Sequence, residues 1–246
     1  MFTDLYFDQA IETLRRIATE QKAHMERAAS RLVDAIVDGH AIYAFGASHS
    51  FMIAEEMVYR TGGLMLVNPV YPHGMNLMVR PLTATSQLER LPGLGAALLE
   101  SVPLKDDDVC IIASTSGRNA VAMDVAIEAA ARGASTIGIT SLDYTEAVSS
   151  RHPSGKKLKD VCDIVLDNGA PAGDAAVAFE GFAQKVGPLS SVTGCAVVNA
   201  LVVETVGRLL EKGYTPPVFI SANLDEGDAH NQRLLADNAH RIHYMF

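Results

Sequence analysis

Residues 113–124 read ASTSGRNAVAMD. An apolar run from Val109 to Ala113 empties into Ser114, Thr115, Ser116 and Gly117, and Asn119 then precedes a helical pattern. Hydroxyls on a tight turn, ahead of a helix whose first N–H groups lack intrahelical acceptors, suit an anion such as a phosphate. The plainer use of Ser and Asn at such a place is to cap the helix. A second turn repeats the design: Gly46, Ala47, Ser48, His49 and Ser50 follow the apolar run Ala41–Phe45. Two such turns in one sheet converge on one ligand where the strand order reverses.

Acid–base candidates are fewer. Glu180 lies in AFEGFAQKVGPL between Ala178, Phe179, Phe182 and Ala183. A carboxylate in apolar surroundings has its pKa raised toward a working range, and a helix-surface carboxylate is the alternative. Glu55 and Glu56 follow the first turn, and only one of two adjacent helical residues faces a ligand. Glu56 also stands four residues before Arg60, the spacing of a surface ion pair. His230, in EGDAHNQRLL, is the candidate histidine, with His49 and His73 as alternatives in loops. Cysteines, methionines and the remaining histidines show no metal-ligand spacing, so neither a metal nor another cofactor is expected.

The elements that must position these residues alternate along the chain. Helical spacing of Ile11, Leu14, Met25, Ala28, Leu32 and Ile36, with no Gly or Pro before Gly39, predicts one long or two consecutive amphipathic helices over 5–37. Strands are expected at Ala41–Phe45, Leu64–Val67, Val109–Ala113, Thr136–Thr140 and Asp163–Leu166. Helices are expected at about Phe51–Thr61, Gln87–Glu100, Ala120–Arg132, Val192–Glu211 and Ala229–Asp237. Alternation of this kind implies right-handed βαβ units and a five-stranded parallel sheet in a three-layer α/β domain spanning residues 1–246. Two long loops, 68–86 and 142–159, exceed what a crossover needs and point to function.

The 246 residues are 48% hydrophobic and 20% charged, enough for a substantial core, and the formal net charge of −9 argues against nucleic-acid binding. One electropositive site inside an acidic protein is still compatible with a phosphorylated small molecule. Three cysteines without a CxxC pair read as reduced thiols, and the start MFTDLYFDQAIETLRR lacks the basic and apolar segments of a signal peptide. No stretch approaches about 20 apolar residues, so a membrane span is not expected and the location expected is cytoplasmic.

The two turns together resemble the SIS (sugar isomerase) family. The likeness rests on Gly46, Ser48, Ser50 and Ala54 in the first, on Ser114, Ser116, Gly117 and Asn119 in the second, and on KVGPLSSVTG at 185–194. Ala47 and Ser48 stand where the family usually has glycines. The resemblance implies a dimeric or tetrameric sugar-phosphate binder, with residues 1–38 as the dimerisation segment and Ser114, Ser116, Asn119 and Ser191 holding the phosphate. Glu180 resembles the base of the isomerase domain of glucosamine-6-phosphate synthase, at a spacing two residues shorter. Phosphoheptose isomerase and N-acetylmuramic acid 6-phosphate etherase place their Glu where this chain has Arg60, one turn beyond Glu56. Such a family implies that a histidine is borrowed across the dimer, a part for His230.

The chemistry implied is removal of the C2 proton from a hexosamine or N-acetylhexosamine 6-phosphate, such as N-acetylglucosamine 6-phosphate. Two carboxylates, Glu56 and Glu180, are expected to divide the work: one takes that proton and the other protonates the leaving oxygen. Elimination of water or of a C3 substituent, a lyase reaction, is the first expectation, and aldose–ketose isomerisation the second. A non-catalytic sugar-phosphate sensor is the third, although only about 38 residues precede the first strand, too few for the helix-turn-helix of the regulators.

Overall fold

The computed structural model describes residues 1–245. It opens with two consecutive helices of one apolar pattern, α1 (Phe2–Glu20) and α2 (Lys22–Asp38), which part at Gln21 and end at Gly39. Gly39 has a φ of 86°, the left-handed cap that glycine takes without strain.

Five strands form the parallel sheet expected: β1 (Ile42–Gly46), β2 (Val67–Val70), β3 (Val109–Ala113), β4 (Ser135–Thr140) and β5 (Ile164–Asp167), in the order β2-β1-β3-β4-β5. Between them run α3 (Phe51–Glu55), α4 (Thr83–Leu88), α5 (Leu94–Leu99), α6 (Ala120–Ala131) and α7 (Leu142–Glu146). A hairpin follows, β6 (Ala175–Phe179) and β7 (Phe182–Pro188), then α8 (Ser190–Glu211) and α9 (Gly227–Asp237).

Side chains alternate across each strand and so feed two cores. Ile42, Ala44, Val109 and Ile111 pack with α2, α3 and α8, whereas Tyr43, Phe45, Cys110 and Ile112 pack with α5 and α6. Strands buried on both faces explain why their sequences are continuously apolar. The order reverses between β1 and β3, whose last residues, Gly46 and Ala113, lie side by side in register.

Four expectations are corrected. The helix read over Phe51–Thr61 stops at Glu55, because the N–H groups of Met57 and Val58 bond three residues back and Tyr59 has a φ of 46°. The helix read over Gln87–Glu100 is two helices parted around Pro92 and Gly93, where proline has no N–H to give. β2 lies three residues later than read, because Leu64 instead bridges to Val218. Finally, α8 is long and apolar enough by length and composition to cross a membrane, although its buried face, Val197 to Leu209, packs into the first core.

Candidate functional site

At the carboxyl ends of β1 and β3 a cavity of about 230 Å³ opens. The first turn contributes Ser48, His49 and Ser50, and the second Ser114, Thr115, Ser116 and Asn119. Gly46 makes the first turn possible, since a Cβ there would sit 2.2 Å from the Ser50 carbonyl oxygen. Ser48 takes a φ of 55°, the left-handed region, and its N–H donates to the Met75 carbonyl at 2.7 Å. A non-glycine residue held in that region is strained, and such residues gather at binding sites.

The second turn is fastened from behind. Its carbonyls accept hydrogen bonds from β4 and the loops after it: Thr115 from the Ser141 N–H at 2.9 Å, Ser116 from the Thr145 hydroxyl at 3.1 Å, Gly117 from the Leu158 N–H at 2.8 Å. The N–H groups of Thr115, Ser116 and Asn119 have no acceptor among the described residues. Gly117, at a φ of 61°, leaves no room for a side chain beside Thr140 and Thr145. One expected donor is spent elsewhere: the Val121 N–H, in the first turn of α6, goes to the Glu89 carbonyl at 3.2 Å.

Three groups that the sequence reading did not single out also line the cavity: Glu89, Tyr144 and Asp174. Glu89 ends α4, and its Oε2 accepts from Asn119 Nδ2 at 2.6 Å. Burial raises its pKa above the ordinary value, against the opposing pull of the Asn119 hydrogen bond, Arg90, Arg151 and His49. A desolvated carboxylate of this kind holds and releases a proton closer to neutrality than a free one. Asp174 caps α8, accepting from the Leu189 and Ser190 N–H groups at 3.1 and 2.8 Å and from the Ser190 hydroxyl at 2.7 Å. The start of α8 therefore carries its own counter-charge. Ser190 lines the cavity, and Ser191, its expected phosphate ligand, does not.

The loop after α7 straps the rim. Arg151 Nη1 donates to Asn119 Oδ1 at 3.0 Å, and His152 Nε2 meets the buried Asp124 carboxylate at 3.1 Å. The Ser154 N–H donates to His152 Nδ1, so Nε2 carries the proton toward Asp124. Asp124 also accepts from the N–H groups of Gly93 and Gly95, which ties α5 to α6 just beyond Glu89.

The three proposed catalytic residues lie outside this cavity. Glu180 tops the exposed turn of the β6–β7 hairpin, where hairpin geometry aims side chains at solvent rather than into the apolar surroundings expected of it. Glu56 is paired with Arg60 and accepts from Asn199 Nδ2 on α8 at 2.7 Å. His230 sits on α9 with Nε2 3.4 Å from the Val218 carbonyl. No local signal marks Glu89, which sits among ordinary residues in QLERLPG and is brought to the site by packing of α5 on α6 and by its hydrogen bonds from Asn119 and Val121. Among the described residues no group of three His, Cys, Asp or Glu is placed to hold a metal ion.

A larger groove of about 620 Å³ lies between α1, α2 and α8, walled by Leu14, Ile17, Met25, Val197 and Ala200. It lacks convergent hydroxyls, so the smaller polar cavity is the candidate ligand site.

A five-stranded parallel sheet with two hydroxyl turns at its switch point defines a SIS-domain protein. The chain belongs to that family: the SIS domain model matches residues 5–141. It is 44% identical over 244 residues to the UPF0309 protein of Shouchella clausii, covering 99% of each chain. Against the UPF0309 protein of Streptomyces coelicolor the identity is 40% over 240 residues, covering 97% of this chain and 96% of the relative. Two solved structures share the fold at low identity. A phosphoheptose isomerase from Francisella tularensis superposes with a TM-score of 0.54 at 15% identity, covering 82% of this chain and 95% of that one. The Vibrio vulnificus NanR protein complexed with ManNAc-6P superposes with a TM-score of 0.51 at 14% identity, covering 96% and 69%.

Proposed function

We propose that the chain binds a phosphorylated amino sugar at the ends of β1 and β3 and that Glu89 moves the proton at its C2. The observation that carries this reading is one carboxylate, desolvated and raised in pKa, sharing a cavity with Ser48, Ser50, Ser114 and Ser116. The hydroxyls and the unpaired N–H groups of the second turn hold the phosphate, and Glu89 works at the other end of the open-chain sugar. His49, which also lines the cavity, stands ready to protonate a leaving oxygen. With an acetamido group on C2, isomerisation is blocked while the group remains, so elimination of water or of a C3 substituent is the favoured exit. The deciding experiment is proton NMR in D2O with N-acetylglucosamine 6-phosphate and related phosphosugars. Loss of the C2 signal with a new vinyl proton supports the lyase reading, and loss without it an isomerase. Binding without C2 exchange leaves a sensor and sinks the enzyme reading.

The same reading treats residues 1–246 as one cytoplasmic domain that assembles as a homodimer or homotetramer through residues 1–38. Phe2, Phe7 and Ile11 of α1 are exposed beside the groove of α1, α2 and α8, an apolar surface of the kind that association covers. Light scattering after gel filtration reads the assembly directly, and a monomer at micromolar concentration would overturn that part.

A further inference from the structure

Three guanidinium groups gather beside the cavity, none of them in an ion pair among the described residues, with the Glu89 carboxylate within electrostatic reach of two of them. Arg118 lies in the second turn between Gly117 and Asn119. Arg151 is brought against it by a backbone hydrogen bond from its N–H to the Arg118 carbonyl at 2.9 Å. Arg90 follows Glu89, whose carboxylate is already engaged by Asn119. The acceptors that Arg118 and Arg151 do have are neutral: Ser149 Oγ at 3.3 Å for Arg118 and Asn119 Oδ1 at 3.0 Å for Arg151. The Arg118 Nε is buried and has no acceptor among the described residues.

Elsewhere arginines that lack a carboxylate lean on backbone carbonyls, as Arg16 does on Gly169 and Arg241 on Ile36 and His40, and others form ion pairs. Arg60 is paired with Glu56, Arg132 with both Glu100 and Glu128, and Arg208 with Glu204. None of the three rim arginines has an ion pair among the described residues. Like charges placed together with a buried donor unused call for an anion from outside, because an uncompensated buried polar group is costly. Partial desolvation of its otherwise exposed side chain, with Arg118 and Arg90 acting in the same direction and Tyr144 and Glu89 against it, pulls the Arg151 pKa below its ordinary value.

We propose that Arg118 and Arg151, flanked by Arg90, form a second anion subsite on the cavity rim, which takes a carboxylate or a second phosphate on the bound sugar. The planar guanidinium fork matches either oxyanion. The proposal rests on the reading of the cavity as a phosphosugar site and deepens it: the preferred ligand carries two anionic groups, one in the hydroxyl turns and one at the arginines.

Isothermal titration of the full chain with fructose 6-phosphate, fructose 1,6-bisphosphate and 6-phosphogluconate tests it. Charge-assisted hydrogen bonds of this kind correspond to a gain of about tenfold or more in affinity for a ligand with the second charge. Arg118→Gln and Arg151→Gln should each remove most of that gain while leaving fructose 6-phosphate affinity within about twofold of wild type. Arg151 is exposed, so its variant keeps the fold even where Arg118→Gln does not. A gain for the bisphosphate alone assigns the subsite to phosphate, and a gain for phosphogluconate alone to carboxylate. The subsite alone is overturned if fructose 6-phosphate binds wild type as tightly as both doubly charged sugars, or if the gain survives in both variants. It is overturned too if the variants weaken fructose 6-phosphate equally, since the arginines would then hold the first phosphate. If N-acetylglucosamine 6-phosphate binds in the same titration and none of these three sugars does, the subsite alone is overturned; if it fails to bind as well, the phosphosugar reading falls and the subsite with it.

Discussion

Glu180 and Glu89 occupy two regions that reverse the surroundings their neighbours in the chain advertise. Glu180 has Phe179 and Phe182 within two residues, yet it tops an exposed hairpin whose second strand, Phe182–Pro188, is exposed along most of its length. Glu89 is followed by a charged Arg90, yet α4 and α6 fold it against Asn119 and burial lifts its pKa. What desolvates a carboxylate is the set of elements the topology lays over it. A two-residue turn lays nothing over its tip, whatever the flanking side chains are.

The widest separation should appear in catalysis. Glu89→Gln is expected to slow C2 proton exchange by about 10²–10⁴-fold, the usual share of a general base, while Glu180→Gln leaves it within about twofold. Proton NMR on N-acetylglucosamine 6-phosphate in D2O reads both. An inactive Glu180→Gln protein beside an active Glu89→Gln protein would reverse the comparison.

A second test uses pH. The raised pKa of Glu89 means that exchange should fall as pH drops through a value above the ordinary 4.5, and that this inflection should vanish in Glu89→Gln. For stability the folded state holds the proton more tightly than the unfolded chain. The neutral carboxyl therefore favours folding fully below 4.5, and that contribution is lost as pH rises through the raised value. Glu89→Gln should melt about 1–3 °C higher than wild type at pH 8, a difference that closes near pH 4, as differential scanning calorimetry would show. An equal shift at both pH values would mean that burial does not act on its charge.

The smallest effect is expected of Glu56, the other carboxylate assigned to chemistry. Its ion pair with Arg60 is partly exposed, so Glu56→Gln should cost about 0–1 kcal/mol in urea unfolding and nothing in C2 exchange. A hundredfold loss of exchange would return Glu56 to the reaction.

The sheet was legible because β-branched, doubly buried strands leave a continuous apolar trace; β3 runs from Val109 to Ala113 as read. The two hydroxyl turns were legible for a related reason: the change from buried strand to Ser and Gly is local in sequence. The site's acid was not, because the contact of Glu89 with Asn119 joins residues 30 apart across α4, α5 and α6. The hairpin was missed where Ala175–Phe179 reads as small and apolar residues without the alternation of a half-buried strand. Asp174 escaped because its role is to cap a helix that begins sixteen residues later in sequence, at Ser190.

Ser48 places two demands on one residue. Its left-handed backbone suits glycine, which would relieve a strain of about 1–3 kcal/mol, while the residue lines the cavity, where serine brings a hydroxyl and glycine offers nothing. Heat resistance and ligand capture therefore pull this position apart. A library varied at residue 48 and selected only for survival at high temperature should drift to glycine, and one selected for sugar-phosphate retention should keep serine.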